Sequence, residues 1–266
     1  MYSFAYSKAD TVADAVSLVE KDQEAKYLSG GMSLIPSMKL RLASPSRLID
    51  VTKIPALHGI SEQADRVRIG AATTHYEVLQ SAVIQNRIPA LGMLASKIGD
   101  VQVRYRGTIG GSIANNDPAA DYPAGAVGLD AKLITDRRSI SADDFFRGLF
   151  DTALEPGELL TGVELCIPRR ATYIKFANLA SRFAIIGVFL ADFGDAVRIA
   201  VTGGGTGVFR LKEHEAALAS RFDPEVLSSL TIPLARFSTD VHATAEYRAH
   251  LTAELTKQAV EACLNS

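Results

Sequence analysis

The sequence predicts an α+β fold in two parts, on two observations. Up to about residue 168, strand-like and helix-like hydrophobic patterns are mixed, whereas beyond it strand-like segments come first and helix-like segments follow. The run Pro168-Arg169-Arg170 ends a strand where the two patterns meet, so we expect domains over residues 1–168 and 169–266. A chain of 266 residues can bury one large core or two modest ones.

The elements of the first part follow from local signals. Thr11 is expected to cap a helix whose apolar stripe is Val12, Val16 and Val19. Apolar runs indicate strands at 26–28, 48–51, 67–69, 131–135, 138–140 and 163–167. Further helices are indicated by Leu34, Met38 and Leu42, by a cap at Thr73-Thr74, by Leu91, Leu94 and Ile98 ahead of Gly99, and by a start at Ser141.

The second part groups its strands before its helices. Strands are expected at 173–176, 184–193 and 197–202, and helices at 213–220, 224–230 and 243–263. Between the two groups, the glycines at 203–205 bend the chain out of the sheet. In the last helix, the predicted shared face carries Tyr247, Leu251, Leu255 and Cys263.

Composition limits the function classes. A net charge of −2 gives no general attraction to nucleic acid or to an anionic membrane surface. No apolar run reaches the roughly 20 residues that a transmembrane helix needs, and the N-terminal segment does not resemble a secretory signal. We therefore expect a cytoplasmic protein with no integral membrane segment and no nucleic-acid partner.

Metal and nucleophile patterns are missing from the sequence. Cys166 and Cys263 lie in apolar patterns, so we expect them to be small core side chains. They form no C-x-x-C pair, whereas an iron–sulfur cluster needs about four ligands, mostly cysteines. The five histidines show no metal-ligand spacing. No metal ligand and no catalytic residue is assigned.

Two glycine pairs are the most informative feature of the chain. Gly30-Gly31 follows the predicted strand at 26–28, and Gly110-Gly111 follows Thr108. Glycine permits a positive φ and lets a ligand approach backbone N–H groups closely. Successive N–H groups form an anion-binding concavity. Two such turns suggest a ligand with a diphosphate, held from both sides.

Each pair alone has an ordinary alternative, a tight turn without a ligand. Neither pair fits G-x-G-x-x-G, and neither has the lysine of G-x-x-x-x-G-K-[ST]. A plain Rossmann or P-loop site is therefore disfavoured.

The order of four motifs is more specific than either pair. They are Ser29-Gly30-Gly31-Met32-Ser33-Leu34, Ile69-Gly70-Ala71-Ala72-Thr73-Thr74, Thr108-Ile109-Gly110-Gly111 and Asp117-Pro118-Ala119-Ala120-Asp121. In this order they resemble the FAD-binding medium subunit of the molybdenum hydroxylases, the xanthine dehydrogenase and carbon monoxide dehydrogenase family. The resemblance extends nearly from end to end. It implies a flavin domain of the vanillyl-alcohol-oxidase type over 1–168, built of two α+β subdomains, and a small C-terminal domain with a three-stranded sheet and helices.

The resemblance also implies a set of cofactor-binding residues. The first turn would hold the diphosphate through backbone N–H groups, the second would hold the cofactor from the other side, and Asp121 would accept a hydrogen bond from a ribityl hydroxyl. The implied residues are Ser29, Gly30, Gly31, Met32, Ser33, Leu34, Thr74, Thr108, Gly110, Gly111, Asp121, Leu160, Lys175 and Phe183.

Several of these residues have alternative interpretations. Asp121 and Thr74 could be helix caps, Lys175 a solvated strand lysine, and Phe183 a core aromatic. Arg104 and Arg106 are either surface charges or cations that favour reduced, anionic flavin. Met32 stands where several relatives have a polar residue, often histidine, so we expect FAD to be bound non-covalently.

The function that the resemblance implies is electron transfer within a larger enzyme. A large partner subunit would hold the molybdenum cofactor, and a small one would hold two two-iron clusters that pass electrons to FAD on this chain and then to an external acceptor. The expected assembly is a heterotrimer that doubles into a dimer of heterotrimers. Two alternatives are a self-contained FAD-dependent oxidoreductase of the same fold and a flavin-free scaffold subunit.

Overall fold

The computed structural model describes residues 1–265 and has the α+β composition that the sequence predicts. Its strands are β1 (Ala5–Lys8), β2 (Lys26–Leu28), β3 (Arg47–Asp50), β4 (Ile60–Gln63), β5 (Arg66–Gly70), β6 (Lys132–Thr135), β7 (Ser139–Ser141), β8 (Phe146–Gly148), β9 (Asp151–Thr152), β10 (Leu160–Cys166), β11 (Arg170–Ala177), β12 (Ala184–Asp192), β13 (Val197–Thr202) and β14 (Phe209–Arg210).

Its helices are α1 (Val12–Glu20), α2 (Leu34–Lys39), α3 (His75–Gln80), α4 (Ala82–Arg87), α5 (Pro89–Ser96), α6 (Val101–Arg106), α7 (Ile109–Asn115), α8 (Tyr122–Gly128), α9 (Ala142–Phe145), α10 (Lys212–Ser220) and α11 (Ala245–Leu264). Short 3₁₀ turns lie at Pro55–Leu57, Pro224–Leu227 and Leu234–Arg236. Within residues 1–265, none of the helices has both the length and the apolar character that a membrane crossing requires.

A parallel three-stranded sheet in the order β1-β3-β2 forms the N-terminal unit. Helix α1 begins at Thr11, whose side chain accepts a hydrogen bond from the Asp14 N–H as predicted. Its buried residues Ala15 and Val19 pack in one core cluster with Ile49. Strand β2 of this sheet leads directly into the first glycine segment.

An antiparallel five-stranded sheet in the order β4-β5-β10-β6-β7 forms the second unit. Strand β10 is central, so Val163 lies opposite Ile69 on one side and Leu133 on the other. These three side chains are fully buried beneath the helices of residues 75–128, in the largest core cluster. The second glycine segment lies among those helices.

A third sheet, in the order β11-β12-β13-β14, buries both of its faces. Because strand side chains alternate, Phe189 and Ala191 of β12 pack into the core of the second unit, whereas Val188 and Leu190 pack beneath α10 and α11. The resemblance implies three strands, and the structure adds β14, a fourth strand of two residues.

Two predicted helices differ in extent from the observed ones. The stripe of Leu34, Met38 and Leu42 does not continue, because α2 ends at Lys39 and Arg41 adopts a φ of +61°. Met38 is buried, but Leu42 is 79% exposed. The helix expected at 224–230 is only the 3₁₀ turn Pro224–Leu227.

Three side chains that were expected in the core are less buried than predicted. Tyr247, on the predicted face of α11, is 43% exposed, and Leu251 is half-buried. Cys166 is also half-buried, whereas Cys263 is buried as expected.

Candidate functional site

A cleft of about 1190 Å³ lies between the first and second sheets. Most of the residues in its wall come from six stretches of chain: 25–34, 71–75, 98–103, 107–121, 150–160 and 181–183. Of the residues implied by the resemblance, the structure brings these to the cleft wall: Ser29, Gly30, Gly31, Met32, Ser33, Leu34, Thr108, Gly110, Gly111, Asp121, Leu160 and Phe183. Thr74 and Lys175 lie behind the wall, each bound to a residue that lines it.

The first glycine segment is a loop of bare backbone amides. Gly31 has a φ of +72°, a backbone angle that residues with a side chain rarely adopt, so this conformation requires glycine. Within the part of the chain that the structure describes, the N–H groups of residues 30–33 find no acceptor. Helix α2 begins at Leu34, directly behind them. Successive free N–H groups in a turn of this kind suit an anion.

The second glycine segment is the start of a helix, so the predicted turn is wrong at Gly110 and Gly111. Both lie in the first turn of α7 with ordinary φ values. Glycine is needed at both positions because neighbouring atoms leave no room for a side chain. A Cβ on Gly110 would lie 2.5 Å from the Cβ of Ala71, and one on Gly111 would lie 2.9 Å from the Thr108 hydroxyl.

The two glycine segments touch each other. The Ser29 and Thr108 hydroxyl oxygens are 2.9 Å apart and share a hydrogen bond. A Cβ on Gly30 would collide with the carbonyl of Arg106 and lie 2.7 Å from the Cα of Gly107. The segments are therefore one surface, fixed by direct backbone packing.

The two threonines of the site are helix caps. Thr74 forms a capping box with Glu77 at the start of α3, which confirms the cap interpretation. Thr108 caps α7 by accepting a hydrogen bond from the Gly111 N–H. An isolated β-bridge pairs Thr74 with Thr108, so Thr74 supports the second segment from behind.

Asp121 lines the cleft with a buried carboxylate. It stands at the N-cap position of α8 but makes no capping hydrogen bond, so the cap alternative is wrong. The Tyr173 hydroxyl donates to its Oδ1, and the Lys175 ammonium lies 2.8 Å from Oδ1 and 2.9 Å from Oδ2. Burial raises the pKa of Asp121, and the Lys175 ammonium opposes that rise.

Lys175 is a buried cation, since its side chain is only 2% exposed, and the solvated-lysine alternative is therefore wrong. Tyr173 and Lys175 reach the same carboxylate because alternate residues of a strand share a face. Lys97 completes the cluster: its carbonyl accepts from Lys175 Nζ at 3.0 Å, and its own ammonium donates to the Tyr173 carbonyl at 3.3 Å. The spacing 173–175 could have indicated Tyr173, but no sequence signal indicated Lys97.

His75 is a cleft residue that the sequence reasoning missed. It is 4% exposed, its Nδ1 has no hydrogen-bond partner among the described residues, and its ring lies 5.3 Å from that of Tyr122. Burial, with a contribution from Arg104, lowers the pKa of His75 to about 4. The imidazole is therefore neutral at pH 7. A histidine at the first position of a helix gives no such signal in sequence.

Glu158 holds the wall formed by residues 154–160. Its buried carboxylate accepts hydrogen bonds from Arg138 Nε at 2.9 Å, from the Thr135 hydroxyl at 2.8 Å and from the Glu155 N–H at 2.8 Å. The Arg138 guanidinium is the largest cause that lowers the pKa of Glu158 to about 2. Tyr27 of β2 adds a hydrogen bond to the Gly157 carbonyl, which ties this wall to the first sheet.

The remaining implied residues differ in exposure. Leu160 is buried at the start of β10, whereas Met32 is 42% and Phe183 47% exposed, so Phe183 is not a core aromatic. Arg104 donates to the carbonyls of Ile98 and Gly99, and Arg106 is exposed. Neither arginine is among the residues that line the cleft.

The residues present fit an extended dinucleotide such as FAD. The free N–H groups at 30–33 suit a diphosphate, the bare face of Gly111 lets it approach, and the orphaned His75 Nδ1 offers a further polar contact. Within residues 1–265, no group of three or more His, Cys, Asp or Glu side chains could hold a metal ion.

Comparison with known proteins gives the family. Residues 2–169 match the family described as "FAD binding domain in molybdopterin dehydrogenase". The carbon monoxide dehydrogenase medium chain of Hydrogenophaga pseudoflava is 34% identical, over 97% of this chain and 96% of that one. The nicotine 6-hydroxylase medium subunit of Paenarthrobacter nicotinovorans is 32% identical, over 96% and 95%.

Solved structures agree with the sequence comparison. The carbon monoxide dehydrogenase of Hydrogenophaga pseudoflava matches with a TM-score of 0.90 and 32% identity, over 99% of this chain and 98% of that one. Quinoline 2-oxidoreductase from Pseudomonas putida 86 matches with a TM-score of 0.85 and 26% identity, over 98% and 97%. This chain therefore belongs to the family of FAD-binding medium subunits of molybdenum hydroxylases.

Proposed function

We propose that the chain binds one FAD non-covalently, with the diphosphate on the amides of residues 30–33 and against the face of Gly111. The observation that supports this most strongly is the direct contact between the two glycine segments through Ser29 and Thr108. Asp121 would accept a hydrogen bond from a ribityl hydroxyl, because its carboxylate keeps lone pairs beyond those used by Tyr173 and Lys175.

The bound flavin would supply the redox chemistry, and the chain would bind, orient and shield it. Leu160 and the Glu158-anchored wall exclude water from one side of the cleft. Phe183 lines the cleft and is exposed, and in this proposal it would meet the isoalloxazine end. Neutral His75 adds a polar group and no charge. No proton-transfer step needs a residue of this chain.

In this proposal the electrons come from other polypeptides. A small subunit with two two-iron clusters would deliver them, and a large subunit with the molybdenum cofactor would oxidise the substrate. Support comes from the relatives, whose names describe medium chains or subunits of larger dehydrogenases and hydroxylases. We propose a cytoplasmic heterotrimer that doubles into a dimer of heterotrimers.

The test is turnover by the chain purified alone against turnover by the co-expressed complex. We expect the chain alone to contain FAD and to accept electrons from an artificial reductant, yet to leave the physiological substrate unoxidised. Equal substrate oxidation by both preparations would contradict the proposal and favour a self-contained flavoenzyme. A folded chain that never takes up FAD would favour the scaffold alternative.

A further inference from the structure

We propose that Lys97 is a second cation of the cofactor site, and that its charge stabilises the reduced state of the flavin bound there. The inference rests on the proposed FAD function. It assigns a redox-tuning role to a residue outside the glycine motifs.

The position of Lys97 is fixed by contacts to the Asp121 cluster. Its ammonium donates to the Tyr173 carbonyl at 3.3 Å and lies 5.8 Å from the centroid of the Tyr173 ring. Its own carbonyl accepts from Lys175 Nζ at 3.0 Å. Lys97 is also the C-cap of α5, where the carbonyl ends of the helix favour a cation.

The cluster carries one more positive charge than it needs for neutrality. Lys175 pairs with the Asp121 carboxylate at 2.8 Å, so those two charges offset each other. Lys97 lies within electrostatic range of both and, among the described residues, has no carboxylate within ion-pair distance. Because Lys97 is half-buried, water screens its charge less than it screens the charge of an exposed lysine.

Lys97 does not line the cleft itself but adjoins its wall. Asp121 lines the cleft, and so do Ile98 and Gly99, the two residues that follow Lys97. Arg104 is another cation nearby and donates to the carbonyls of Ile98 and Gly99, whereas Lys26 and Arg182 line the cleft directly. Lys97 is therefore a cation beside the cleft wall that forms no ion pair with an acidic side chain of residues 1–265.

The expected effect follows from charge balance. Two electrons and one proton entering the isoalloxazine leave it with one more negative charge than before. A fixed positive charge nearby favours that state over the oxidised one. Removing the charge must therefore lower the reduction potential, whatever happens to the affinity for oxidised FAD.

The test is Lys97→Met in the FAD-loaded chain, with the midpoint potential measured by dithionite titration against a reference dye. We expect the preference for reduced over oxidised FAD to fall about tenfold, which equals about 30 mV for a two-electron couple. Lys97→Arg, which keeps the charge, should retain the wild-type potential. Lys132→Met removes an exposed lysine of β6 outside the cleft wall and should also leave the potential unchanged.

Each outcome bears on a different claim. If Lys97→Met binds FAD with an unchanged potential, the inference is overturned and Lys97 only stabilises the fold. If Lys97→Met does not fold, Lys97→Gln and Lys97→Arg provide the same comparison of charge lost with charge kept. If wild-type chain takes up no FAD, the proposed function fails before Lys97 is tested.

Discussion

The Ser29 hydroxyl and the Thr108 hydroxyl lie 2.9 Å apart, although 79 residues separate them in sequence. This contact joins a loop of the first sheet to a helix start above the second sheet. One surface thus presents free amides from the first segment and a bare glycine face from the second. A shift of either sheet would separate the two segments, so we expect cofactor binding to depend on how the two units pack.

Non-covalent binding predicts that acid precipitation of the purified chain releases its FAD. No histidine adjoins Gly31 in the first segment, and buried His75 packs against Gly107. The absorbance of the supernatant at flavin wavelengths measures release. Yellow, fluorescent denatured protein after washing would show a covalent link, and the variants Met32→Leu and His75→Gln would then test which segment carries it.

The buried His75 predicts a loss of stability in mild acid. Its pKa is about 4 in the folded chain and about 6.5 when unfolded, so between these values the unfolded state binds the extra proton. Stability therefore falls as pH decreases, by about 2 kcal/mol between pH 7 and pH 5 from this group. Urea unfolding of wild type and His75→Gln at both pH values measures it. We expect a smaller pH dependence in the variant, and equal dependence would contradict the assignment.

The buried position of Glu158 predicts that its substitution destabilises the chain more than substitution of the exposed Glu155. Glu158→Gln removes the charge that holds Arg138 and should destabilise the chain by roughly 1–3 kcal/mol, at the lower end because the Arg138 side chain is 41% exposed. Glu155→Gln removes an exposed partner of the same arginine and should change stability by less than about 0.5 kcal/mol. Denaturant midpoints compare the two. Similar losses for both variants would contradict the structural role of Glu158.

The Asp121–Lys175 pair predicts that stability and cofactor affinity can be separated. Asp121→Asn leaves the buried Lys175 ammonium without a counter-ion, at a cost of about 3–5 kcal/mol. The double variant Asp121→Asn/Lys175→Met should recover most of that loss. Its FAD affinity should stay weaker by roughly 1 kcal/mol, because the neutral asparagine oxygen is a weaker acceptor than the carboxylate. Recovery of affinity together with stability would mean that Asp121 acts only through the fold.

The sequence predicts most elements because their signals are local. Helix starts are predicted by the capping side chains of Thr11, Thr74 and Ser141, and all three are confirmed as caps. Alternation likewise predicts β10, whereas β12 is a continuous apolar run that is buried on both faces. The end of α2 was missed because the left-handed φ of Arg41 has no residue signature.

The site was predicted less completely because its contacts are distant in sequence. The glycines were identified, but Gly110 and Gly111 are needed for space against Ala71 and Thr108, which only the folded structure reveals. Lys97 and His75 belong to the site through packing between helices and strands. The residues next to them in sequence form no motif that indicates a cofactor site.

Gly111 allows the most direct test of the central claim that the two glycine segments hold FAD. A Cβ there would face the cleft 2.9 Å from the Thr108 hydroxyl, whereas a Cβ on Gly148, outside the cleft, would meet no atom within 4 Å. The measurement is FAD content and affinity of Gly111→Val and Gly148→Val, with circular dichroism to establish folding. We predict a folded Gly111→Val protein without FAD and a Gly148→Val protein with the wild-type amount. Full flavin content in folded Gly111→Val would contradict the account.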